Sequence, residues 1–455
     1  MRALSRPTFW VYVLQFGGLP LSAALLPLLL WRFSAEQLGL WYLMLNLGQL
    51  AAMAEGAIEP SLTRYLTYAR SGVQALPAHG QPPGEAQGSP NAALCAEVVG
   101  AAHWLYRRLG ACNLALVGLP GGMLLAHVAA PWGDGLQLLF AWGLYVGALA
   151  LGTRWMAAVP LLQGSDRADA AFRALAVQRL VFGLVAAAGL AWTARLEVLG
   201  VAQLAGVLLG LGPAYWQARR LQPWPAGAPG AALRQALWQG GGALWLGRLG
   251  GYLVVRANVP LVSAALGLGP AGRLALTLQL IDVLTQLSQA PMFASLPRLY
   301  ELHARGQRAA ELAIVGRVFV VGWATFLAGG LVLWWGGDAL LAAFGRQAVL
   351  LPALPLAVAL LAGLLELNFN ISTTLLMVGN GVPFVRATLL AGVGCLALNA
   401  LAFGLTPAGL LTAVTVPLLV QSLYNYWKWP RACLRLFETR YPALVRAAWP
   451  GRAGR

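Results

Sequence analysis

Arg248 and Arg256 lie eight residues apart in LWLGRLGGYLVVRANVPLV, residues 244–262, a stretch that is otherwise almost wholly apolar. A guanidinium stays charged at any physiological pH and presents a planar fork of donors that grips phosphate oxygens two at a time, which lysine cannot imitate. Four acids stand in similarly apolar surroundings: Glu55 and Glu59, one helical turn apart in MAEGAIEP; Asp282; and Glu366, which has Asn368, Asn370, Ser372 and Thr373 nearby. Inside a membrane such groups pair with one another, carry an ion or a proton, or hold a charged substrate. The arginines therefore have two readings. They form a cradle for a diphosphate, or each is neutralised by a carboxylate, with Asp282 and Glu366 as the acids at similar depth.

The surroundings of these residues follow from composition. Of 455 residues, 59% are hydrophobic and 10% charged, and the mean hydropathy of +0.67 is far above that of soluble domains. The sequence predicts an all-α polytopic membrane protein with about twelve spans, at 8–31, 38–62, 105–130, 136–162, 174–194, 198–218, 237–262, 272–296, 313–335, 348–377, 383–404 and 408–429. Helices are required because lipid cannot satisfy free backbone groups, and no run alternates as a barrel strand would. The first span is too long and too smoothly continued to read as a cleaved signal peptide. Cys95, Cys112, Cys395 and Cys433 form no close-spaced pair, so neither a disulfide framework nor a metal site is indicated, and no cofactor is expected.

A net charge of +16 would suit nucleic acid, but its distribution argues against that partner. With the N-terminus inside, 25 of the 31 Lys and Arg fall on or near the cytoplasmic face; four lie outside (Arg32, Arg195, Arg273 and Arg346) and two within the seventh span. Both termini are then cytoplasmic. The basic tail from Lys428 to Arg455 reads as a topology signal and an anchor to anionic membrane lipids. Residues 71–93, rich in Pro, Gly and small residues, are expected to be a disordered cytoplasmic loop.

An internal repeat organises the chain. PSLTRYLTYARSG (60–72) and ASLPRLYELHARG (294–306) share Ser61, Leu62, Arg64 and Gly72 with Ser295, Leu296, Arg298 and Gly306, at one constant offset of 234. Two homologous six-span lobes follow: an N-lobe at 1–225, a C-lobe at 226–430, and a basic tail at 431–455. An even number of spans per repeat gives both lobes the same orientation. Transporters built from such repeats bind their substrate near the bilayer midplane at the repeat interface.

Four stretches, FWVYVLQFGGLPLSAALLPLLLWRFSAEQLGLWYL (9–43), PSLTRYLTYA (60–69), ALGLGPAGRLALTLQLIDVLTQLS (265–288) and GNGVPFVRATLLAG (379–392), resemble the polysaccharide and O-antigen flippases of the multidrug/oligosaccharidyl-lipid/polysaccharide exporter superfamily. The resemblance implies a protein of the bacterial cytoplasmic (inner) membrane. It would move an undecaprenyl-pyrophosphate-linked oligosaccharide from the cytoplasmic to the periplasmic leaflet by alternating access, coupled to H+ or Na+, in company with a polysaccharide polymerase and glycosyltransferases. Two features depart from the family pattern: the length of the 71–93 insertion, and Asp282, where a small or neutral residue is expected.

On this reading Arg248, Tyr252, Arg256 and Arg154 are the substrate-binding candidates, and Asp282, Glu366, Glu55 and Glu59 the coupling or gating ones. Eight residues of helix set the arginines about 12 Å apart along the axis and about 80° around it, with Tyr252 one turn from each. Trp238, Trp245 and Tyr252 are the candidates for stacking on sugar. Glu55 and Glu59 either form an ion or proton site, or meet Arg154 and Arg179 as a cytoplasmic gate. An enzyme acting on lipid-linked glycans is disfavoured: the outside loops are short, their acids are scattered, and no phosphate-binding loop is present. The rival function is an ion-coupled exporter of drugs or organic cations on the same scaffold. That rival should show buried acids without competing arginines.

Overall fold

The computed structural model describes residue 10 and residues 25–73, 89–130, 135–221, 229–304, 307–342, 350–377 and 383–448. Among these no strand occurs, as lipid solvation demands. In chain order the helices are α1 (25–32), α2 (Ala35–Arg70), α3 (Ala92–Asn113), α4 (Leu119–Ala129), α5 (Gly135–Met156), α6 (Ala158–Gln163), α7 (Ala168–Trp192), α8 (Glu197–Gly206) and α9 (Gly212–Leu221). There follow α10 (Ala231–Val255), α11 (Asn258–Leu266), α12 (Leu268–Ala304), α13 (Arg308–Ala342), α14 (Ala353–Leu376), α15 (Val385–Leu405), α16 (Leu410–Leu423), α17 (Asn425–Leu436) and α18 (Tyr441–Ala447). One-turn π segments, Leu114–Gly118 and Val207–Leu211, join α3 to α4 and α8 to α9.

Eight of the described helices are long and apolar enough to cross a membrane. Together with α2, α12 and α16 they place a helix in eleven of the twelve expected spans, and α1 lies at the end of the first, of which residues 11–24 lie outside the described residues. The chain is a multi-pass membrane protein. The third span is longer than expected: it begins at Ala92, inside the loop predicted at 71–93. Asn91 accounts for the difference, because its side chain accepts from the Leu94 amide (3.0 Å) to cap α3 and donates to the Val73 carbonyl (3.2 Å). That bracket orders 71–73 and 89–93, and 74–88 lies outside the described residues.

The helix bounds keep the 234-residue offset at first and then depart from it. α2 and α12 start 233 and end 234 positions apart, whereas α7 and α15 start 217 and end 213 apart. The change has a simple origin: 21 residues connect α2 to α3, and only three connect α12 to α13.

Packing divides the chain into two compact units, Met1–Leu249 and Gly250–Arg455. The boundary inferred from the repeat, at 225/226, falls in the connection 222–228, which lies outside the described residues. In the first unit the apolar faces of α2, α3, α6, α7 and α9 close over Leu62, Tyr65, Leu66, Tyr106 and Leu162, each at most 1% exposed. α2 opens with a capping box, Ser34 accepting from the Gln37 amide (3.1 Å) and Gln37 from the Ser34 amide (3.0 Å). Its interior Pro60 removes one helical hydrogen bond just after Glu59.

In the second unit α10 and α15 approach to backbone contact. A Cβ on Gly392 would lie 2.5 Å from the Gly250 carbonyl oxygen, and one on Gly250 would lie 2.7 Å from the backbone of Thr388 and Leu389. Small residues let helix backbones approach this closely, and Gly250 and Gly392 do so here. The tail is not merely basic. α17 extends to Leu436, and α18 lies on α13, where Arg317 Nε donates to the Ala448 carbonyl (3.0 Å). Gly392→Leu should destabilise the detergent-solubilised protein by about 1–3 kcal/mol through overpacking. Gly251→Ala, where nothing lies within 4 Å of a new Cβ, should be neutral or stabilising. Thermal unfolding of the two variants checks both.

Candidate functional site

Three polar constellations lie inside the spans, one in the first unit and two in the second. In the first, α2 presents Glu55 and Glu59 on one face, a turn apart. α5 brings Thr153 to Glu55, and the Thr153 hydroxyl donates to Oε1. The same hydroxyl accepts from Asn113 Nδ2 (2.9 Å), which also donates to the Ala51 carbonyl (3.3 Å). Asn113 is 7% and Thr153 2% exposed, so this relay is shielded from solvent. The π segment starts at the next residue, Leu114, and its wide turn leaves the Gly118 carbonyl to Trp142 Nε1 (2.8 Å). Glu59 accepts from Gln163 Nε2 (3.1 Å), whose Oε1 accepts from Thr63 (3.0 Å).

The expected gate is not formed. Among the described residues neither Arg154 nor Arg179 hydrogen-bonds to or ion-pairs with Glu55 or Glu59, and both arginine side chains are exposed. Thr153, the immediate neighbour of Arg154, faces Glu55, so helical rotation turns Arg154 elsewhere. The charge that does act on Glu59 is that of Arg248, from the second half of α10. The Arg248 guanidinium is exposed and closes no ion pair with a described carboxylate.

In the second unit Arg256 forms an ion pair with Asp282 of α12, their side chains 18% and 33% exposed. The pair sits where the seventh span breaks between α10 and α11, at residues 256 and 257. Asn258, just past the break, donates to the Val254 carbonyl (3.0 Å) and accepts from Asn399 of α15 (2.8 Å). Asn258 is 2% and Asn399 0% exposed. Arg256 thus has its anion within the protein. Tyr252 is only 5% exposed, which removes it as a stacking surface for sugar, whereas Trp238 is 68% exposed and Trp245 half-buried.

The other constellation surrounds Glu366 of α14. Its Oε2 accepts from the Tyr426 hydroxyl (3.2 Å) and from Gln421 Nε2 (3.3 Å). Gln421 Oε1 accepts from Asn425 Nδ2 (2.6 Å), and Asn425 Oδ1 from Trp429 Nε1 (2.9 Å). The relay runs Trp429, Asn425, Gln421, Glu366, with Gln421 and Asn425 each 1% exposed. It forms because the helix is interrupted at Tyr424, between α16 and α17, which turns Asn425 and Tyr426 toward α14. Nearby, Asn368 exchanges hydrogen bonds with the Tyr441 hydroxyl of α18 (3.0 and 3.2 Å), while Ser372 and Thr373 bond back to helix carbonyls of α14.

Sequence reasoning weighed charges and missed Asn113, Thr153, Gln163, Gln421, Asn425 and Tyr426. The available signal was the presence of an amide or hydroxyl inside an apolar span, where a polar group needs a partner. No group of three or more His, Cys, Asp or Glu able to hold a metal occurs among the described residues. A surface cavity of about 340 Å³ in the first unit, bordered by Ser34, Glu36, Gln37, Gln137, Arg195 and Glu197, contains none of the predicted site residues.

Removing one member of an ion pair at this depth strands the other charge. Arg256→Ala and Asp282→Ala should each lower thermal stability, and the double variant should recover part of the loss. A double-mutant cycle on the purified protein should give a coupling of about 0.5–3 kcal/mol; additive effects would mean that the pair does not act as a unit.

No sequence-family profile and no curated protein sequence matches the chain. Solved structures do. The chain is similar to an inward-facing multidrug resistance MATE family transporter of the MOP superfamily, with TM-score 0.62 and 11% identity over 94% of this chain and 95% of that one. It is similar to the MATE multidrug transporter DinF-BH, with TM-score 0.59 and 11% identity over 94% of each chain, and to a point mutant of MATE, with TM-score 0.53 and 12% identity over 97% of each. Identity this low speaks to architecture alone. This membrane protein has the twelve-span, all-helical fold of the MATE transporters of the MOP superfamily.

Proposed function

We propose that the protein is an ion-coupled exporter of organic cations that works by alternating access, with Glu55 and Glu366 as the carboxylates that take up H+ or Na+. The observation that carries this reading is the nature of their partners. Within the described residues Glu55 is hydrogen-bonded to Thr153, and Glu366 to Gln421 and Tyr426, with no basic side chain on either. Neutral donors orient a carboxylate without cancelling its charge, and a carboxylate in a low-dielectric interior strongly favours acquiring a proton or a cation. Competition of a coupling ion and a cationic substrate for such a group links the two fluxes, since each ligand shifts the conformational equilibrium only by its differential affinity. Pairing of Arg256 with Asp282 supports the same reading, because it removes one of the two arginines that argued for an anionic substrate. The similar solved structures named as multidrug transporters agree with it.

One observation favours a second reading. Arg248 exposes a guanidinium inside the seventh span with no ion pair to a described carboxylate, as a site for the diphosphate of a lipid-linked oligosaccharide would. A flippase of polysaccharide repeat units would depend on that residue.

The two are separated in proteoliposomes. Under an imposed proton or sodium gradient the protein should expel a cationic dye, and Glu55→Gln and Glu366→Gln should each slow gradient-driven efflux at least tenfold, while Arg248→Ala retains it. Absence of dye transport together with translocation of an undecaprenyl-pyrophosphate oligosaccharide that is lost in Arg248→Ala would overturn the exporter in favour of the flippase.

A further inference from the structure

α17 has two faces of opposite character. Inward it buries Asn425, Trp429, Pro430 and Cys433, and through Asn425 and Tyr426 it is wired to Glu366. Outward, Trp427, Arg431 and Arg435 recur every fourth residue and form one exposed stripe, with Tyr424 and Lys428 beside it. Tyr424 is 42% and Trp427 41% exposed. The Lys428 ammonium stands over the Tyr424 ring at 6.0 Å and the Arg431 guanidinium over Trp427 at 5.1 Å. α17 itself contains no acid, and the three cations make no ion pair with a described carboxylate. The acid that follows, Glu438, is engaged by Arg308 of α13 (3.3 Å), which also donates to the Leu436 carbonyl (3.3 Å). A second clamp holds α18: Tyr441 packs against Phe319 and Trp323, with ring centroids 5.8 and 5.3 Å apart. The stripe is therefore held facing outward, and its charge is left uncompensated.

The order of residues along the stripe matches a bilayer surface. α17 follows the apolar α16, so the chain leaves the hydrocarbon through aromatics, Tyr424 and Trp427, and then meets cations, Lys428, Arg431 and Arg435. Aromatic rings favour the glycerol and carbonyl level, while guanidinium and ammonium groups favour the phosphates just beyond. Trp427 and Arg435 are about 12 Å apart along the helix, roughly the depth of that zone. The distribution of arginines puts this end of the chain on the cytoplasmic side.

We propose that the outward stripe of α17 is a binding site for anionic phospholipid of the cytoplasmic leaflet, and that its occupancy regulates the carboxylate site at Glu366 through Asn425, Gln421 and Tyr426. The occupant is the membrane lipid, since the aromatics preceding the cations give a free phosphate nothing to recognise. Lipid seated on Trp427, Arg431 and Arg435 holds α17 in the register in which Asn425 and Tyr426 reach Gln421 and Glu366. The binding stands independently of the transport activity proposed above; the effect on rate rests on it.

Lipid binding is tested on the full chain by native mass spectrometry with phosphatidylglycerol or phosphatidylcholine, and with inorganic phosphate as competitor. Wild type should retain phosphatidylglycerol about tenfold over phosphatidylcholine and keep it against millimolar phosphate. Arg431→Gln/Arg435→Gln should lose that preference at unchanged melting temperature. Arg440→Gln/Arg446→Gln, which removes the same charge from exposed positions of the tail beyond the stripe, should keep it. Equal loss in both double variants, no preference in wild type, or displacement by phosphate would overturn the site. Regulation is read as efflux in phosphatidylcholine liposomes with and without phosphatidylglycerol. Stimulation of several-fold in wild type and none in Arg431→Gln/Arg435→Gln is expected. Retained binding with lipid-independent efflux would overturn the regulatory link alone, and absence of efflux under every lipid condition would count against the exporter reading while leaving the binding result standing.

Discussion

A carboxylate within a membrane span is tolerated only where something offsets its desolvation, and the acids of this protein meet that demand in different ways. Asp282 has a full counter-charge in Arg256. Glu55 and Glu366 have hydroxyls and an amide, which satisfy lone pairs and hold the group still but leave its charge uncancelled. Much of the irregular backbone serves these groups. A π turn follows Asn113, the seventh span breaks beside Arg256, and the last span is interrupted at Tyr424 so that Asn425 and Tyr426 face inward. Irregular backbone at membrane depth survives only where protein satisfies it, so these breaks and the side chains around them depend on each other.

The internal repeat read from the sequence sets different residues at equivalent positions. At the offset of 234, Glu55 and Glu59 correspond to Gln289 and Phe293, and Arg256 and Asp282 to Ser22 and Gly48. The helices repeat because span length and apolar surface are set by the bilayer, a constraint that both halves share. The polar residues occupy a few positions that this constraint does not dictate: an acid pair held by a hydroxyl and an amide in the first unit, and an ion pair and an acid held by an amide and a phenol in the second. Function resides in such positions rather than in the scaffold.

Charge was the most legible feature and also the most misleading one. Arg248 and Arg256 could be read in sequence as one cradle, because helical spacing puts them about 12 Å apart. Only Arg256 has an ion-pair partner among the described residues. Arg154 and Arg179 lay at a plausible height to meet Glu55 and Glu59, but height in the membrane says nothing about rotation about the helix axis, and Thr153 and Gln163 took those places. The neutral members of the relays were silent because one amide in an apolar run barely changes hydropathy.

The sequence by itself determined that the chain is helical and that it crosses the membrane about twelve times. Lipid leaves the backbone one economical way to satisfy its hydrogen bonds, and apolar length records each crossing. It also named the acids and arginines that had to be accommodated. Only the tertiary structure decided which of them meet: Arg256 with Asp282 rather than Glu366, Glu366 with Gln421 and Tyr426, and Glu55 with Thr153. Those choices depend on helix rotation and on breaks at single residues, which carry far less free energy than burying a span and leave correspondingly little trace in composition or periodicity.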